Sequence, residues 1–174
     1  DEDAARRAIQ ELVADGVTSI AVCFLHAYRY PAHERRVREI AMEIAPELFV
    51  SLSSDVLPEI REYERASATT LNAYVRPYIG NYLEELEQGL GGIGVKATLN
   101  IMQSNGGVIS RDYAETMPLR MLESGPAAGA LAAAHVSGLL GAGDVVSFDM
   151  GGTTAKSCLI SGGKPAVTTD FETA

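Results

Sequence analysis

Residues 145–160 read Val145-Val146-Ser147-Phe148-Asp149-Met150-Gly151-Gly152-Thr153-Thr154-Ala155-Lys156-Ser157-Cys158-Leu159-Ile160. An apolar strand carries an acid near its end, two glycines and two threonines follow, and a second apolar strand begins. Glycine lets the backbone reverse and approach a ligand closely. Threonine hydroxyls and loop N–H groups suit an anion. One reading is a nucleotide-phosphate loop, in which Asp149 holds a hydrated Mg²⁺ and Gly151, Gly152, Thr153 and Thr154 wrap the phosphates. The other is a plain β-hairpin with a Gly-Gly turn, which the spacing also fits. The stretch is not a P-loop, because that motif's lysine and serine/threonine are missing from the required places. Lys156 either reaches the same anion or is turned away by strand alternation as an ordinary surface lysine.

Downstream, Ser161-Gly162-Gly163 forms a turn, and Lys164 to Phe171 has strand character. Strands at about 145–150, 154–161 and from 164 onward predict an antiparallel meander. Upstream, Ser124-Gly125-Pro126-Ala127-Ala128-Gly129-Ala130 opens a small-residue helix reaching about Leu140, with Ser124 as N-cap and Pro126 in the first turn. Its nearly smooth surface of Ala128, Gly129, Ala132, Ala133 and Gly138 permits close approach of another backbone. Gly141 and Gly143 end it.

The first part of the chain has a different grammar. Ala4, Ala5, Ala8, Ile9, Leu12 and Val13 recur at helical spacing before Gly16. Ser19 to Leu25 is a continuous apolar run, as in a strand covered on both faces. Pro31 opens a helix with Val37, Ile40, Ala41 and Ile44 as its buried stripe, and Leu48 to Leu52 is a second strand. This order predicts a mainly parallel α/β unit. A long helical segment covers about Glu59 to Gln88, with a kink or break expected at Pro77. Its Tyr74, Tyr78 and Tyr82 stripe reads as core packing with phenol tips at the surface. Gly89, Gly91, Gly92 and Gly94 read as a flexible connection. Ala97 to Met102 then reads as a strand running into Gln103-Ser104-Asn105-Gly106-Gly107. That loop is either cleft-lining, as at the C-terminal edge of an open α/β sheet, or a turn in which Asn105-Gly106 supplies positive φ. Gln103 and Asn105 are the cleft candidates. Ser110 is placed to cap a short helix over 112–116.

The 174 residues suffice for a normal core, and 47% of them are hydrophobic, which argues against overall disorder. The net charge, 14 − 23 = −9, disfavours nucleic-acid binding through a basic face. The one basic cluster, Arg35-Arg36 with Arg38, is interleaved with Glu34 and Glu39 and reads as a solvated helix face. Cys23 and Cys158 lie in apolar runs, as buried free thiols of a reducing cytoplasm do. No signal peptide or membrane-spanning run is seen. His26 sits where a strand ends and is a cleft candidate, His33 reads as solvated, and His135 as a packing or hinge residue. Neither a nucleophile-elbow sequence nor His/Cys metal-ligand spacing is present.

A strand–Gly-Gly–strand meander that follows a small-residue helix, itself after a parallel α/β unit, resembles the actin, sugar-kinase and heat-shock-chaperone ATPase superfamily at its domain junction. The resemblance implies a ribonuclease-H-like (actin-like ATPase) α/β architecture. Within that superfamily the chain resembles the hydantoinase A/oxoprolinase family over nearly its whole length. The matching runs are PAHERR at 31–36, LPEIREYERASATTLNAYV at 57–75, IMQSNGG at 101–107, SGPAAG at 124–129 and DMGGTTAK at 149–156.

The resemblance implies an internal piece of a larger subunit: the end of a first domain at 1–123, a hinge helix at 124–143, and the opening meander of a second ATPase domain at 144–174. It implies that Asp149 to Thr154 form the second of two phosphate loops, with ATP and Mg²⁺ as cofactors and Asp149 as catalytic and metal-binding acid. The first loop would lie upstream of residue 1 and the adenosine pocket downstream of residue 174. The implied activity is ATP-dependent opening of a cyclic amide such as N-methylhydantoin or 5-oxoproline by phosphoryl activation, in a cytoplasmic oligomer with a hydantoinase B-like companion subunit. The alternatives are an acetone- or acetophenone-type carboxylase subunit and a non-enzymatic nucleotide-gated ATPase. Many members read GGTSTD where this chain reads GGTTAK. Lys156 therefore argues against a second metal-binding carboxylate here, and against 5-oxoproline.

Overall fold

The computed structural model describes residues 1–167. The Cα trace divides into two compact units: Asp1–Leu99 with Arg111–Leu119, and Asn100–Ser110 with residues from Arg120 onward.

In the first unit, helix α1 (Glu2–Ala14) leads to strand β1 (Ser19–Val22), helix α2 (Ala32–Ile44) and strand β2 (Phe49–Leu52). β1 and β2 pair in parallel, Ser19 opposite Phe49 and Val22 opposite Leu52. Alternation along the strands decides which side chains meet the helices. Ile20, Val22, Val50 and Leu52 join Ile9, Ile40, Ala41, Ala45 and Leu48 in one apolar core, each fully buried large side chain contributing about 1.5–3 kcal/mol. The other sheet face meets the long helix α4 (Glu62–Gly92), which follows the single-turn α3 (Ser53–Val56).

Polar residues help dock α4, beside the buried Ala73 and Leu83. Asn72 donates to the Ser51 hydroxyl (3.0 Å) and to the Thr116 carbonyl (3.1 Å), and accepts from the Leu119 N–H (3.3 Å). This ties α5 (Arg111–Thr116) and the 3₁₀ turn Pro118–Met121 to α4. Buried Arg65 donates to the Phe24 carbonyl (2.7 Å) and lies over the Tyr28 ring. Glu34, read from sequence as part of a solvated face, is fully buried. Its carboxylate accepts from the Phe24 N–H (2.8 Å), the Ser53 hydroxyl (2.7 Å) and the Ser54 N–H (2.9 Å), fixing the segments that leave β1 and β2.

Several expectations about α4 are corrected. The helix runs unbroken through Pro77. Proline removes the N–H that would bond the carbonyl four residues back; here the Ser19 hydroxyl donates to that carbonyl, Ala73 O, at 2.7 Å. Gly89, Gly91 and Gly92 are the last turns of the helix, not a connection. The tyrosines are not core: Tyr74, Tyr78 and Tyr82 are each more than half exposed, because the buried stripe of α4 is Arg65, Thr69, Asn72, Ala73, Gly80 and Leu83.

In the second unit, β3 (Asn100–Met102) pairs antiparallel with β4 (Val108–Ser110). The strand expected from Ala97 is thus shorter, and its hydrogen-bonded partner is its own hairpin neighbour, not the parallel pair. Helix α6 (Ser124–Leu140) ends at Gly141 in the left-handed conformation, φ 65°. Glu123, not Ser124, occupies its N-cap, and no side chain caps it. β5 (Val145–Met150), β6 (Ala155–Ser161) and β7 (Lys164–Pro165) form the expected antiparallel meander. The expected third strand continued to Phe171, and its part from 168 to 171 lies outside the described residues. α6, set apart from sequence as a hinge at 124–143, packs on this sheet.

Candidate functional site

The hairpin between β5 and β6 is closed by the Gly151 N–H donating to the Thr154 carbonyl at 3.0 Å. Neither Gly151 nor Gly152 has a positive φ, and a Cβ added at either would meet nothing within 4 Å. Neither backbone conformation nor packing therefore calls for glycine here. No hydrogen bond among the described residues takes up the N–H groups of Gly152, Thr153 or Thr154, or the two threonine hydroxyls. Residues Asp149 to Thr154 are all exposed. The result is an open rim of unpaired donors with no side chain at two successive positions, a form suited to an anion's oxygens.

Asp149 lies directly across from Lys156 in the β5–β6 register. Its carboxylate has no hydrogen-bond or ion-pair partner among the described residues. Lys156 is engaged elsewhere: its ammonium donates to the Glu123 carboxylate at the start of α6. No group of three or more His, Cys, Asp or Glu side chains among the described residues is arranged to hold a metal. One free carboxylate beside a rim of unpaired N–H groups nonetheless fits Mg²⁺, which is commonly held by one or two carboxylates with phosphate oxygens and water.

Gln103 and Asn105 belong to the β3–β4 turn. The Gln103 N–H donates to the Gly107 carbonyl (2.7 Å), and the Asn105 side chain accepts from the Gly107 N–H (2.9 Å), so Asn105 serves its own turn. Gly106 has φ 83°, and a Cβ there would come within 2.9 Å of Leu131 on α6. Ser104, between the two candidates, does what sequence reading missed. Its hydroxyl donates to the Arg120 carbonyl (2.8 Å) and accepts the Glu123 N–H (3.1 Å). The turn thereby fixes the residue that holds Lys156. Sequence distance hid this link: Ser104 and Glu123 are 19 positions apart.

His26 belongs to the other compact unit, at φ 57° in the turn after β1, with its ring edge-on to Tyr28. Cys23 and Cys158 are free thiols, half-buried and not fully buried. No helix of the described residues is long and apolar enough to cross a membrane.

Comparison with known proteins places these features. The family model for hydantoinase/oxoprolinase matches residues 65–174, and the model for the hydantoinase/oxoprolinase N-terminal region matches residues 1–45. An uncharacterised protein of Methanocaldococcus jannaschii is 42% identical over 153 residues, 88% of this chain and 22% of that protein. The caprolactamase subunit alpha of Pseudomonas jessenii is 32% identical over 172 residues, 99% of this chain and 25% of that subunit. The nucleotide-free structure of acetone carboxylase, titled for ATP-dependent acetone carboxylation, superposes with a TM-score of 0.78 at 31% identity, covering 94% of this chain and 23% of that one. This supports the expected α/β class, with parallel and antiparallel sheets consistent with an actin-like ATPase fold. The chain thus spans a quarter or less of these relatives. With one family model covering more than half of its length and relatives matching nearly all of it, the chain belongs to the hydantoinase/oxoprolinase family.

Proposed function

We propose that this chain is part of an ATP-dependent cyclic amidohydrolase subunit whose β5–β6 loop holds nucleotide phosphates. The observation that carries the reading is the loop itself: two glycines demanded by neither φ nor packing, beside unpaired N–H groups and an unpaired acid. Gly151, Gly152, Thr153 and Thr154 bind phosphate oxygens, and Asp149 holds Mg²⁺, which neutralises phosphate charge when bound. Lys156, held by Glu123, stands outside this set.

An amide of a hydantoin or lactam ring is a poor electrophile. Phosphoryl transfer from ATP to its oxygen, with release of ADP, makes the ring carbon more electrophilic. Water adds there, the ring nitrogen takes a proton and leaves as the C–N bond opens, and a second water releases phosphate from the resulting acyl phosphate. The loop's part is positioning and charge stabilisation, as in other phosphoryl transfers. The caprolactamase relative supports a cyclic amide as substrate, and its name as subunit alpha supports a companion polypeptide, which we propose is of hydantoinase B type. Two free thiols support a reducing, cytoplasmic setting.

Titration of Mg²⁺–ATP into the full-length protein and its Asp149→Ala variant tests this. The variant is expected to bind at least about tenfold more weakly, a loss of ~1.4 kcal/mol. Equal affinity and equal turnover would remove Asp149 from the mechanism. A second reading, an ATP-dependent ketone carboxylase subunit, is favoured by the likeness to acetone carboxylase. Turnover of N-methylhydantoin or caprolactam, set against acetone or acetophenone with bicarbonate, separates the two.

A further inference from the structure

We infer that Glu123 is a positioning residue that draws Lys156 off Asp149 and so keeps Asp149 free for a divalent cation; this rests on the phosphate-loop reading above. The β5–β6 register sets Asp149 opposite Lys156. Residues paired this way share a sheet face with Cβ atoms about 4.5–5.5 Å apart, and opposite charges so placed attract. With no other group nearby, Asp149 would be the natural partner of this ammonium. An ammonium seated there competes with a metal for the same oxygens.

The structure shows the other arrangement. The Lys156 ammonium donates to Glu123, and Asp149 is left without a partner among the described residues. Glu123 is not a loose surface acid, for its N–H is held by the Ser104 hydroxyl. Ser104 is anchored in turn, its N–H and its hydroxyl both donating to the Arg120 carbonyl at 2.7 and 2.8 Å. The competing carboxylate is thus delivered by a fixed backbone point at the start of α6. The local charge of Asp149, Lys156 and Glu123 sums to −1, which suits a site that must take a cation.

The test uses the full-length protein and reads binding without turnover: the Mg²⁺ concentration at half-maximal binding of N-methylanthraniloyl-ATP, with Mn²⁺ binding followed by electron paramagnetic resonance. In Glu123→Gln, Lys156 is released toward Asp149, and the Mg²⁺ midpoint is expected to rise about two- to fivefold, the factor a cross-strand charge pair implies. Adding Lys156→Met is expected to return the midpoint to the wild-type value. Lys156→Met alone is expected to leave the midpoint at or below wild type, with nucleotide affinity at saturating Mg²⁺ unchanged.

The ion pair is partly exposed, with side-chain exposures of 40% and 31%, so these variants should fold. A purely structural role for Glu123 would lower thermal stability without moving the metal midpoint, and Lys156→Met would not rescue it. An unshifted midpoint in Glu123→Gln, a shift that persists in the double variant, or weaker nucleotide binding in Lys156→Met at saturating Mg²⁺ would each overturn the inference alone. A wild-type protein that binds no nucleotide at any Mg²⁺ concentration would overturn the phosphate-loop reading, and this inference with it.

Discussion

Asp144 illustrates how one carboxylate holds a turn. It accepts the Ser161 hydroxyl at 2.7 Å and the Gly162 N–H at 3.2 Å, bracing the Ser161-Gly162-Gly163 turn against the start of β5. The Ser161 hydroxyl first, then the Gly162 N–H, keep its pKa below the ordinary 3.8. A depressed folded-state pKa means stabilisation that is present above the unfolded value and lost as pH falls through the folded one. The stability difference between wild type and Asp144→Asn should therefore be constant above about pH 5 and shrink below it. Urea midpoints across that range, or exchange of the Gly162 amide, would show it. At this scale the sequence made the Gly-Gly-Thr-Thr hairpin legible, because a hairpin tip is local. It hid the roles of Ser104 and Glu123, whose bonds join distant positions. It also suggested Ser124 as a cap, although the residue before it takes that place.

α4 shows the same limit for an element. Periodicity revealed the helix, but proline and glycine pointed to a kink or break at 77 and a connection over 89–94, whereas the helix runs through 77 and on to Gly92. Propensity is a weak prior that tertiary contacts override. The contact here is nameable: Ser19 of β1 satisfies the Ala73 carbonyl that Pro77 leaves unbonded. Ser19→Ala should destabilise by about 0.5–1.5 kcal/mol, the net worth of a part-buried hydrogen bond. In a Pro77→Ala background the helix can supply its own donor, and the same Ser19→Ala change should cost little. A double-mutant cycle of urea or thermal unfolding measures the coupling; additive effects would refute the link.

For the whole molecule, the helix–strand–helix–strand order gave the parallel unit and the apolar-turn-apolar rhythm gave the meander. The pairing of β3 was not legible, since nothing local to Asn100–Met102 says which edge it will join. Nor was the one-sided burial of the meander. α6 packs on the β5–β6 sheet, yet Val146, Phe148, Met150 and Leu159, which lie in the strands read as apolar, are each more than half exposed. Contiguous apolar surface of this kind binds hydrophobic dyes. The 1–174 chain should enhance anilinonaphthalene sulfonate fluorescence, and Phe148→Ser should reduce it while barely moving the thermal midpoint.

The way the two units share the polypeptide has a temporal consequence. The backbone passes between them at 99/100, 110/111 and 119/120. As the ribosome delivers the chain, residues 100–110 emerge before the first unit has received its last segment, 111–119. That short ribbon must wait, unattached to its own neighbours, while the earlier unit closes. No truncation at a single peptide bond yields either unit alone: a piece ending at 119 keeps the first whole but carries 100–110, and a piece starting at 100 keeps the second but carries 111–119.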